Sequence, residues 1–104
     1  MTQFDDLYLI PKTIYYADGD TSFVVGDSPA TYDVKTALGK IGTDGYIICD
    51  GAGDILLTIS HDGTNYGNSI RLKSGEKFTL RAISVSKIKI THSGTDSGYR
   101  LYAV

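Results

Sequence analysis

The sequence predicts an all-β domain: an antiparallel β-sandwich, jelly-roll-like, with an extended N-terminal arm. Three observations predict it. Ile, Val and Thr number 11, 5 and 11 in 104 residues, and branching at Cβ suits a pleated strand better than a helix. Eleven Asp stand against a single Glu; Asp competes with helical hydrogen bonds and settles in turns. Short apolar runs recur between Gly- and Asp-rich segments, the spacing of sandwiches and barrels. A chain of this length has room for one domain with a real core. Its 41% hydrophobic and 21% charged residues exclude a disordered chain, a collagen-like chain and a disulfide scaffold.

Residues 1–20 read as an arm and 21–104 as the sandwich. In the arm, Phe4, Leu7, Tyr8, Leu9 and Ile10 are apolar without a clean period, and Pro11 interrupts them, which suits an extended segment. Such an arm is expected to pack on its own sandwich or on a neighbouring subunit. Asp18-Gly19-Asp20 reads as a turn. Phe23–Val25 is a first strand, and 32–41 fits a strand or one to two helical turns equally. Tyr46–Cys49 is apolar on both faces, as in a central strand. Gly51-Ala52-Gly53 then predicts a hairpin into Asp54–Ser60, followed by a turn at 61–65. Ile70–Leu72 and Phe78–Leu80 predict a second hairpin, and Lys87–Thr91 with Tyr99–Val104 a third.

Phase sorts the later strands. Ile70, Leu72, Phe78, Leu80, Ile88, Ile90, Tyr99 and Leu101 share the inward phase. Arg71, Lys73, Lys77, Arg81, Lys87, Lys89 and Arg100 share the outward one, predicting a basic face on one sheet. The net charge of −2 divides into −6 for residues 1–54 and +4 for residues 55–104. Complementary contact follows, within the fold or between copies, so a homo-oligomer is expected. The N-terminal residues show no signal-peptide pattern, and no apolar run reaches the roughly 20 residues of a membrane span. One cysteine, Cys49, forms no internal disulfide and fits a reducing cytoplasm.

Chemistry is not announced. Gly51-Ala52-Gly53 begins like a dinucleotide fingerprint, but the third glycine position holds Leu56 and no helix follows. Asp18-Gly19-Asp20 lacks the other positions of a calcium loop, and His61 with His92 would need further ligands for zinc. Ser60, His61 and Asp62 are consecutive and alternate in face, so they form no relay. No enzyme, cofactor or metal site is expected. Two binding readings remain open. Asn65, Tyr66, His92 and Tyr99 form a carbohydrate site if their loops adjoin, and the basic face forms a single-strand nucleic-acid site if it is continuous. Tyr102 shares the outward phase, but one exposed aromatic among seven cations makes nucleic acid the weaker of the two.

A resemblance extends these readings. Asp54–Ile90 runs Asp-Ile-x-x-x-Ile-Ser-x-Asp-Gly-x-x-Tyr-Gly, then Ile-x-Leu-x-x-Gly-Glu-x-x-x-Leu, then Lys-Ile-x-Ile. This resembles the small β-sandwich virion proteins of tailed bacteriophages, which decorate capsids or join tail components. The likeness covers turns and core positions of roughly the last half of the chain. It implies a non-enzymatic virion structural protein, made in the host cytoplasm, whose partners are major capsid or tail proteins. The arm residues Phe4 to Ile10 named above would then clasp a neighbour.

Overall fold

The computed structural model describes residues 15–104. Eight strands follow in chain order: β1 Tyr16–Phe23, β2 Ala30–Asp33, β3 Gly45–Cys49, β4 Ile55–Ser60, β5 Ile70–Leu72, β6 Lys77–Leu80, β7 Lys87–His92 and β8 Ser97–Ala103. They form two four-stranded antiparallel sheets in the orders β1-β8-β3-β6 and β2-β7-β4-β5. Arm residues Phe4, Leu7, Tyr8, Leu9 and Ile10 lie outside the described residues.

Alternation builds one core between the sheets. Tyr99, Leu101 and Ala103 of β8 and Ile47 and Cys49 of β3 are buried from one side. Ile55 and Leu57 of β4 and Ile88 and Ile90 of β7 meet them from the other. Each of the Leu and Ile side chains contributes roughly 1.5–3 kcal/mol by leaving water. The segment that fitted both strand and helix is both: β2 runs straight into α1, Val34–Leu38. Asp33 caps α1 by accepting the Thr36 N–H at 3.1 Å. Val34 and Leu38 then close one end of the core.

All three predicted hairpins are instead crossings between sheets. Strands β3 and β4, β5 and β6, and β7 and β8 each divide between the two sheets. The phase argument cannot see this, because a residue points inward whichever neighbour its strand pairs with. A connection of four residues, such as 93–96, reaches roughly 13 Å, enough to span the ~10 Å between packed sheets. The β3–β4 crossing also shows why its glycines are needed. A β-carbon on Gly51 would lie 2.0 Å from the Gly98 amide nitrogen, and one on Gly53 would lie 2.4 Å from the Thr95 carbonyl. The Gly53 carbonyl accepts from the Ser97 hydroxyl and, at 3.2 Å, from the Cys49 thiol.

Asp18-Gly19-Asp20 is likewise not a turn but the middle of β1. Asp18 sits opposite Leu101 and Asp20 opposite Tyr99, so both carboxylates take the inward phase of an edge strand. An edge open to solvent on one side tolerates them, and inward charge there discourages a further strand from pairing. The sheet therefore includes residues assigned by sequence to the arm.

Tyr99 ties the sheets together. Its side chain is fully buried, and its hydroxyl shares a 2.5 Å hydrogen bond with that of Tyr32 on β2. The Phe23 ring meets it edge-on at 5.1 Å. Burial, then the Tyr32 hydroxyl, pushes the Tyr99 phenol well above its ordinary value of 10. The neutral phenol thus favours the folded state in full below about pH 10, and that contribution is lost as pH rises beyond it. Tyr99→Phe is expected to cost about 1–2 kcal/mol, because it strands the Tyr32 hydroxyl. The melting temperature should fall by about 4–8 °C per kcal/mol. The Tyr32→Phe/Tyr99→Phe double variant should recover part of the loss, and the alkaline limb of denaturation should move up in pH in both Tyr99 variants. Strictly additive single losses in circular-dichroism melts would contradict the coupling.

Candidate functional site

The basic residues do not share a face. Arg71, Lys87 and Lys89 lie on β5 and β7 of one sheet, Lys77 and Arg100 on β6 and β8 of the other. Lys73 and Arg81 follow the ends of β5 and β6. Sequence phase is referred to each strand's own sheet, so outward residues of two packed sheets point in opposite directions. Two cations are also engaged locally. Arg71 meets Asp54 at 3.1 Å and Ser93 at 2.8 Å, and Arg100 meets Asp50 at 2.6 Å.

The four loop residues also stay apart. Ile55 opposes His92 while Ser60 opposes Lys87, so His92 and the 61–65 loop lie at opposite ends of β4, roughly 17 Å apart. Asn65 and Tyr66 sit at one end, and the Tyr66 ring lies 4.3 Å from the Lys89 ammonium. Tyr99 is in the core. His92 accepts the Gly94 N–H at Nδ1, which leaves Nε2 to donate to Asp96 at 2.9 Å. His61 lies at the far end and is exposed. Among the described residues, no group of three or more His, Cys, Asp or Glu is placed to hold a metal ion.

Two features emerge in their place. The first is an aromatic stripe on the outer face of the β1-β8-β3-β6 sheet. Tyr46 and Tyr102 are direct cross-strand partners, and their rings stack at 5.5 Å with 22° between planes. The Tyr15 ring lies 5.6 Å beyond Tyr102. Tyr15 is 53% exposed and Tyr46 36%. The Lys77 ammonium sits 5.9 Å from the Tyr46 ring. Sequence phase identified Tyr102 as outward. It missed Tyr46, because a strand apolar on both sides reads as buried on both sides.

The second feature is an open polar cleft of about 500 Å³ beside the other sheet. Asp33, Lys35, Thr36 and Gly39 of α1 and its ends form one wall, Asp62, Gly63 and Thr64 the opposite wall, and Ser86 and Lys87 complete it. Asp33 is held below the ordinary carboxylate value by the Thr36 N–H, the Thr36 hydroxyl and nearby Lys87 and Lys35. Asp62 lies lower still, because the Asn65 and Thr64 amides, the Asn65 side chain and the Ser60 hydroxyl all donate to it. These nine residues come from three separated segments. No spacing in the chain signals them, apart from the Asp-Gly turn.

No family model, curated protein or solved structure matches the chain.

The loop makes its own prediction. Depression of the Asp62 value means its bonds are intact above about pH 4 and are lost as pH falls toward the lower native-state value. Amide exchange at Gly63, Thr64 and Asn65 should therefore quicken on acidification relative to the core strands. Asp62→Ala should quicken it at pH 7. Unchanged exchange in that variant would show that the loop holds without its carboxylate.

Proposed function

We propose that the chain is a non-enzymatic structural protein of a tailed-phage virion, a capsid-decoration or comparable accessory subunit that binds neighbouring virion subunits. The tyrosine stripe carries this reading. Interfaces are enriched in Tyr and Arg and depleted in most charged residues at their centre. Tyrosine supplies a large contact area with few rotatable bonds to freeze. Here three tyrosines touch in a row on an otherwise solvent-facing sheet, flanked by Lys77 and Arg100. The strand order supports the jelly-roll part of the reading. Two four-stranded sheets linked by sheet-to-sheet crossings are the architecture of double Greek-key jelly rolls, frequent in viral capsid domains.

The partner proposed is another virion subunit, including further copies of this chain. Asp18 and Asp20 on the exposed β1 edge, with Asp27 near them, complement the cations around the stripe. Such complementarity sets register more than affinity. Contact between two different patches of like subunits builds rings or open arrays. The arm residues Phe4 to Ile10 add a clasp in this scheme, on the strength of their sequence.

The test replaces Tyr46 and Tyr102 by Ser, at positions outside the core. Wild-type and variant are compared by sedimentation velocity and by co-sedimentation with virions. Loss of at least tenfold in association is expected, since buried interface tyrosines are worth about 1–2 kcal/mol each or more. Undiminished binding by a folded double variant would defeat the assignment of this face.

A further inference from the structure

We propose that the cleft between α1 and the loop after β4 binds a sugar bearing a carboxylate. The cleft is independent of the tyrosine stripe, which lies on the outer face of the opposite sheet.

Ser86 is the first reason. The residue is 4% exposed. Its backbone is fully engaged, the N–H donating to the Ser60 carbonyl at 2.8 Å and its own carbonyl accepting the Lys35 N–H at 3.0 Å. Its hydroxyl has no hydrogen-bond partner among the described residues. Buried polar groups are nearly always paired, so an unpaired one at a cleft wall marks a place for an incoming group. The opposing position is glycine. A β-carbon on Gly63 would come within 3.1 Å of the Ser86 Oγ, and φ of +88° at Gly63 disfavours any other residue.

The balance of donors and acceptors is the second reason. Asp62 accepts four hydrogen bonds from its own loop in addition to the Gly63 turn that Ser60 holds. Three of the four fall on Oδ1 and one on Oδ2, so Oδ1 is fully used and one Oδ2 site remains. Asp33 spends two of its sites on Thr36. The donors without a hydrogen-bond partner among the described residues are the Lys35 and Lys87 ammonium groups, which act on Asp33 only through space, and the Ser86 hydroxyl. A ligand that satisfies them brings negative charge and several oxygens.

Size and charge narrow the class. A cleft of about 500 Å³ suits a ligand larger than an inorganic ion. No aromatic, Leu, Ile or Val side chain lines it, and its apolar surface is interleaved with charged and hydroxyl groups, as suits a ligand that is itself mixed, like a sugar. Two lysines are offset by two aspartates, so the lining is neutral as a whole; a carboxylate against the ammonium groups is accommodated, whereas a doubly charged group meets the aspartates as well. Hydroxyls on the ligand can use the remaining Asp33 lone pairs. These requirements together describe a sugar acid.

The experiment titrates the full ¹⁵N-labelled chain with D-glucuronate, with glucose, acetate and glucose 6-phosphate as comparators, and follows amide shifts. Saturable shifts at Gly39, Gly63, Thr64 and Ser86 are expected with glucuronate at millimolar concentration, and tighter than with each comparator. Ser86→Ala should weaken binding about fivefold, and Lys87→Gln about tenfold. Thermal stability of Ser86→Ala should be unchanged or raised, because an unpaired buried hydroxyl is removed. Absent shifts, equal response to glucose or acetate, tighter binding of the phosphate, or undiminished binding in Ser86→Ala would each overturn the proposal. None of these results bears on association through the tyrosine face.

Discussion

The pairing of β8 between β1 and β3 is the constraint on which the rest depends. One side of β8 presents Tyr99 and Leu101 to the core, and the other carries Arg100 and Tyr102. A slip of one residue would exchange the two sets. The register is pinned at both ends. The Asp50 and Gly51 amides donate to the Gly98 carbonyl, and the Thr43 and Asp44 amides to that of Val104. With register fixed, Tyr99 reaches the Tyr32 hydroxyl across the core, and Tyr102 stands beside Tyr46 outside it. Core and surface stripe are thus two consequences of one strand's alignment.

Charge follows the same topology. The first and second halves of the chain carry opposite charge, but they do not form separate regions. β1 pairs with β8 and β2 with β7, so acidic and basic residues adjoin inside the fold. Asp54 meets Arg71, Asp50 meets Arg100, and Asp33 lies opposite Lys87. Exposed pairs of this kind contribute about 0–1 kcal/mol each. Part of the imbalance expected to guide partners is therefore spent locally. Outside these pairs stand the acidic β1 edge and the Lys77 ammonium bordering the tyrosines.

The fold class was legible in the chain because alternation and β-branching act locally. Ile88 and Ile90, or Tyr99 and Leu101, declare their inward phase without reference to any partner. Pairing was not legible, since Ser93–Asp96 serves equally as a hairpin or as a crossing. Asp18-Gly19-Asp20 has turn composition, yet an edge strand accommodates it. The candidate sites were legible only in fragments. Tyr102 and Lys87 were identified as outward, but the neighbours that give them meaning, Tyr46 beside Tyr102 and Asp33 and Gly63 beside Lys87, are distant in sequence and met only through the fold.

The proposed role places contact with neighbouring subunits on the tyrosine face. Hydroxyl-radical footprinting of free and assembled protein, read by mass spectrometry residue by residue, tests it directly. Strong protection of Tyr15, Tyr46 and Tyr102 on assembly is expected, with Tyr66, which stands over Lys89 of the opposite sheet, as reactive as before. Equal labelling of the three tyrosines in both states, with protection centred on Tyr66 and Lys89 instead, would contradict it.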